Sequence, residues 1–141
     1  MKFHFSGGVK FPHLTIRSAS FLGSSSEVFL SGRQPFFHSY DTTSGSVSKI
    51  NGPLGFEVKS LERMVVAPDG DTACFLGASG YLHLFSQRSK QWSMNLKMNS
   101  AARSAVFIGE HAIATSGLDA EIYIWDIRRP GKCLNRFTVQ I

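Results

Sequence analysis

A chain of 141 residues, 43% hydrophobic and 18% charged, carries enough apolar side chains for one packed core, which excludes disorder along its whole length. The formal net charge of +5 permits an acidic partner, nucleic acid or an acidic protein surface, although many solvated surfaces are as basic. Cys74 and Cys133 stand far apart, with no CxxC pair and no histidine at ligand spacing. Reduced core thiols are therefore expected, with no disulfide framework, no zinc site and no cofactor. The start, MKFHFSGG, lacks an apolar run of signal-peptide length, and nowhere do enough apolar residues follow one another to span a bilayer. An intracellular, soluble protein is expected.

In chain order, runs that alternate apolar and polar positions, or concentrate β-branched and aromatic residues, fall at 28–30, 36–40, 72–76, 81–85, 112–115 and 121–127. Turn formers lie between them: Gly23-Ser24-Ser25-Ser26, Ser44-Gly45, Pro68-Asp69-Gly70, Ser79-Gly80, Gly117-Leu118-Asp119 and Pro130-Gly131. No stretch carries a helical period. The pattern predicts an all-β fold.

Three segments superimpose: FLSGRQPFFHSYD at 29–41, CFLGASGYLHLFS at 74–86 and AIATSGLDAEIYIWD at 112–126. In each, a glycine (Gly32, Gly77, Gly117) precedes an aromatic (Tyr40, Phe85, Trp125) by eight residues. The aromatics recur at the period of WD-type propeller blades, roughly 40 to 45 residues. Upstream, Arg17, Arg63 and Arg103 lie 15, 14 and 14 residues before those glycines, each followed four positions later by Phe21, Ala67 or Phe107. The expected architecture is a partial WD40-type β-propeller over 1–141, about three blades of four antiparallel strands, with units at about 11–52, 54–99 and 100–141. In the middle unit the strands are expected near 63–67, 72–77, 81–86 and 92–97, and a further partial strand is expected at 2–10.

In such blades both sheet faces are buried, so Tyr40, Phe85 and Trp125 are expected to fill the gaps between neighbours, with Asp126 closing the third strand. The glycines allow a close backbone approach that a side chain would obstruct. The Gly-His dipeptide that opens a regular WD repeat is missing, and only the third unit has an Asp, Asp119, between its second and third strands. The buried His-Ser-Asp-Trp network of regular repeats is therefore not expected, and the blades should be held mainly by apolar packing. Propellers close with roughly four to eight blades. Three would leave two blade faces in water, so a fragment of a longer protein, or completion by another chain, is expected.

Arg17, Arg63 and Arg103 begin the inner strands and should project at one mouth of the channel, one per blade, where guanidinium groups suit carboxylate or phosphate. Hydration of strand ends explains the same residues without a ligand. A second basic group, Arg88, Lys90, Arg128, Arg129 and Lys132, falls in turns between third and fourth strands, on the opposite face. These residues could meet phosphate or form solvated hairpins. His38 and His83 occupy the position of Tyr123, which points to packing between blades rather than catalysis or metal binding. GxxxxGK, HExxH and GxSxG are absent, and no enzyme is expected.

GYLHLFSQRSK at 80–90, the APDG turn at 67–70, EIYIWD at 121–126 and above all GKCLNRF at 131–137 resemble the propeller of the U3 small nucleolar RNA-associated protein 18 family, WD-repeat subunits of the small-subunit processome. Phe11-Pro12, the strand with Ala19 and Phe21, and Tyr40-Asp41 agree, so the similarity spans most of 11–137. The resemblance implies a non-catalytic scaffold in the nucleolus, assembling with other WD-repeat proteins on precursor ribosomal RNA and U3 RNA. It implies no membrane and no small-molecule substrate, and leaves direct RNA contact open. The family's acidic extension and helicase-recruiting motif have no counterpart in these residues. The alternative is a WD-repeat adaptor for acidic or phosphorylated peptides, such as a ubiquitin-ligase substrate receptor.

Overall fold

Each strand pairs with its sequence neighbours, and the result is three separate antiparallel meanders, of which the middle one has its central strands buried at consecutive positions. The computed structural model describes residues 15–23, 25–98 and 100–129, together with the backbone of 133–138. The first sheet is β1 (Ile16–Phe21), β2 (Glu27–Gly32), β3 (Phe36–Asp41) and β4 (Val47–Asn51) in that order. The second is β5 (Arg63–Val66), β6 (Thr72–Leu76), β7 (Tyr81–Ser86) and β8 (Gln91–Lys97). The third is β9 (Ala102–Ile108), β10 (Ala112–Gly117), β11 (Glu121–Asp126) and β12 (Cys133–Thr138). No helix occurs among the described residues. The strand expected at 2–10, the Pro130-Gly131 turn and Lys132 lie outside them.

The run expected over 121–127 stops one residue early, for a local reason. Asp126 caps the turn that follows: its Oδ1 accepts the Arg128 backbone N–H at 2.9 Å and its carbonyl accepts that of Arg129 at 3.0 Å. A carboxylate that bonds the main chain two residues on bends the chain out of the ladder. Asp41, at the equivalent end of β3, accepts the Thr43 N–H at 2.9 Å in the same way.

The first strands β1, β5 and β9 lie side by side, so each sheet radiates outward from a common axis. Two apolar cores fill the gaps between sheets. Between the first and second, Phe29 and Phe37 meet Phe75, Phe85 and half-buried Trp92, with Phe37 stacked on Phe75 at 4.5 Å and edge-on to Phe85 at 5.2 Å. Between the second and third, Leu82, Leu84 and Leu96 pack on Ile113, Tyr123 and Trp125, with Cys74 buried among them. Each fully buried aromatic or leucine contributes about 1.5–3 kcal/mol, which makes these seams the main attractive term. Burial pushes the Cys74 thiol up to about 12, so it remains an unreactive packing group.

Phe85 and Trp125 both face the preceding sheet, as the repeat register requires. Tyr40 faces the same way on the first sheet, which has no preceding sheet among the described residues, and it is only half-buried. The opposite flank is also uncovered: Val106 and Ile108 on β9 are 57% and 51% exposed.

The third blade departs from apolar packing alone. The Trp125 indole Nε1–H donates to Thr115 Oγ1 at 3.1 Å inside the core. Part of the hydrogen-bond network of regular WD repeats is therefore present, because the threonine on β10 stands where the ring of β11 can reach it. Asp119 accepts the Tyr123 hydroxyl and the Glu121 N–H, tying the turn between those strands to the same blade.

Candidate functional site

The three repeat glycines mark close backbone approaches at one end of each sheet. A Cβ on Gly32 would stand 2.0 Å from the Thr15 carbonyl oxygen, one on Gly77 2.1 Å from that of Ser60, and one on Gly117 2.8 Å from that of Ala101. At each position the end of a blade's second strand lies against the chain that enters its first strand, and only hydrogen leaves room.

That close approach is accompanied by bulges. Ile16 lies opposite Gly32 and Ser18 opposite Ser31, so Arg17 is an extra residue on β1. On β9, Ala102 lies opposite Gly117 and Ser104 opposite Ser116, which leaves Arg103 in the same position. Bulges re-aim the side chain they carry. Arg63 opens β5 opposite Leu76. All three arginines are exposed, and together they line one cleft of about 360 Å³, with Ser18, Met64 and Ser104 between them. Glu62, the residue before Arg63, is bonded to Arg33 at 3.1 Å.

The arginines on the opposite face are arranged differently. Arg128 grips the Asp126 carboxylate with two parallel bonds of 3.0 Å, Nε to Oδ1 and a terminal nitrogen to Oδ2. This fork, with the Arg128 main-chain N–H, depresses the Asp126 carboxyl to about 2 and raises the guanidinium in turn. Arg128 thus has its fork occupied locally, whereas Arg129 is exposed. In the second blade the Arg88 backbone N–H donates to Asp71, and the Lys90 ammonium pairs with Glu27 of the first blade at 2.6 Å.

His83 is buried, and its Nδ1 shares a hydrogen bond with Asn95 Oδ1. It packs edge-on to Phe56 and Trp92 and stacks with Tyr81. The other ring nitrogen, Nε2, is buried with no hydrogen-bond partner among the described residues. Burial lowers its pKa, opposed by the Asn95 bond, so the fold favours the neutral ring. His38, two residues before half-buried Tyr40, faces the open flank and packs edge-on to Phe36.

Sequence reasoning missed the polar ties across the first seam. Trp92 Nε1–H donates to the Asn51 carbonyl at 2.9 Å, and Glu27 accepts from both Gln87 and Lys90. Nothing in a two-residue or eight-residue spacing marks such pairs. Among the described residues no group of acids, histidines or cysteines is arranged to hold a metal ion.

Comparison with known proteins follows the same architecture. Over 121 residues, 84% of its length, the chain is 41% identical to the U3 small nucleolar RNA-associated protein 18 homolog of Arabidopsis thaliana. The human protein of that name is 33% identical over 100 residues, 70% of the chain, and the mouse protein 28% identical over 130 residues, 91% of the chain. The chain is a relative of the U3 small nucleolar RNA-associated protein 18 homologs. It spans about a fifth of their length: 22%, 18% and 23% respectively. No protein-family profile matches it. Among solved structures, U3-55K superimposes with a TM-score of 0.79 and the RRP9 WD40 repeats with 0.80, each at 15% identity. Each superposition covers 92% of this chain and 41% or 40% of the other, so this relative of the protein 18 homologs has the WD40 propeller fold.

Proposed function

We propose that the chain is part of a non-catalytic WD-repeat scaffold in ribosome biogenesis, acting in the nucleolus in small-subunit processome assembly and precursor ribosomal RNA processing. The observation that carries this reading is the 41% identity, over 84% of the chain, to a relative named for its association with U3 small nucleolar RNA. The physical design supports it. Sheets locked face to face by interdigitated aromatics move as one body, and a rigid body holds several partners in fixed relation.

The three sheets are blades of a larger propeller, within units of about 11–52, 54–99 and 100–141. Further blades cover the flanks that leave Tyr40 half-buried and Val106 and Ile108 exposed. Its partners are other WD-repeat processome proteins and the particle of U3 RNA with precursor ribosomal RNA. Crosslinking in cells, followed by sequencing of the recovered RNA, tests the reading. U3 RNA and precursor ribosomal RNA are expected in the crosslinked fraction, and their absence would reject it.

A further inference from the structure

The cleft lined by Arg17, Arg63 and Arg103 has a property that the scaffold reading does not require. We propose that it binds an acidic peptide segment, an extended stretch rich in aspartate and glutamate, whose carboxylates are held by one guanidinium from each blade.

Three observations carry this. First, the arginines come from strands in three different sheets yet border one cleft, and two of them are bulge residues set opposite glycine-permitted close approaches. Second, the positive charge is unneutralised by the described residues around it: no ion pair joins any of the three to an acid, and Glu62 is engaged by Arg33. Neighbouring guanidiniums repel one another, and a bidentate carboxylate relieves that repulsion at each.

Third, the surroundings favour peptide over RNA. No aromatic ring lines the cleft among the described residues, so they offer a base no plane to stack on. Ser18 and Ser104, neither of them buried, line the cleft beside the arginines, and their hydroxyls suit the carbonyl and amide groups of a peptide. β1, β5 and β9 are each paired within their sheet on one side only, so along the edge beside the arginines the backbone N–H and C=O groups have no strand partner among the described residues. An extended peptide offers partners for both, whereas a sugar-phosphate chain presents mainly acceptors.

Fluorescence anisotropy on the intact protein provides the test, with a labelled oligoglutamate peptide and a labelled oligouridylate as separate probes. The peptide should bind in a salt-sensitive manner, and the triple variant Arg17→Gln, Arg63→Gln, Arg103→Gln should weaken it at least about tenfold while the melting temperature holds, because all three side chains are exposed. The single variant Arg63→Gln, at the centre of the arc, should give a smaller loss in the same direction, and it decides the matter should the triple variant unfold. The triple lysine variant should recover part of the affinity, since charge persists while the fork is lost. No peptide binding, or binding unchanged in the glutamine variants, overturns the proposal. So does tighter binding of oligouridylate that the same glutamine variants abolish, which would make the cleft a phosphate site.

Discussion

The Ser60 carbonyl oxygen occupies the space where a side chain on Gly77 would begin, 2.1 Å from the ideal Cβ position. The contact is backbone on backbone, so no rotamer change relieves it. Gly77→Ala should therefore destabilise the fold by about 2 kcal/mol or more, as overpacking against a fixed wall does. Gly117→Ala should be milder, because its backbone contact is longer, at 2.8 Å, and its nearest atom is a serine hydroxyl that can rotate. Urea denaturation of the two variants checks the order, and equal losses would contradict the geometric account.

Trp125 and Thr115 form a buried hydrogen-bonded pair. Thr115→Val keeps the volume but strands the indole N–H, which costs about 1–3 kcal/mol. Trp125→Phe removes the donor together with part of the ring. The double variant should lose less than the sum of the two single changes, and a double-mutant cycle in denaturant measures the coupling directly.

Acid should loosen the seam between the first two blades through His83. Its pKa is lowered from 6.5 in the fold, so the unfolded chain binds the proton more readily. Stability from this site is complete above 6.5 and falls as the pH drops from there through the lower folded value. The groups that face the ring are Asn95, Tyr81, Phe56 and Trp92, and none of them supplies a charge. His83→Phe should flatten the dependence of melting temperature on pH between about 7 and 5. An unchanged slope would place the effect elsewhere.

Phe85 and Tyr40 hold the same place in the repeat but different places in the structure. Phe85 is 1% exposed, and Phe85→Ala should cost about 3–5 kcal/mol. Tyr40 is half-buried on the open flank. In the 141-residue chain Tyr40→Ala should cost less than half as much, while in a protein with a further blade on that flank the two losses should converge. Thermal melts of both variants in both settings make the comparison.

Sequence alone determined the repeat. Gly32, Gly77 and Gly117, the aromatics eight residues later, and the arginines upstream are marked by spacing, because strand alternation and blade length are local, periodic properties that every unit must satisfy. The all-β fold and the order of strands within each blade follow from the same signals. Tertiary structure alone decided which of these residues do different work. The repeat treats Arg128 as a free basic residue, but the turn after β11 brings its fork onto Asp126. It gives no sign that Trp92 reaches Asn51, or that Lys90 reaches Glu27, since those partners lie 41 and 63 positions apart and meet only when two sheets dock. Repetition specifies each blade. The seams between blades join side chains whose distance along the chain carries no period, and only the packed arrangement brings them together.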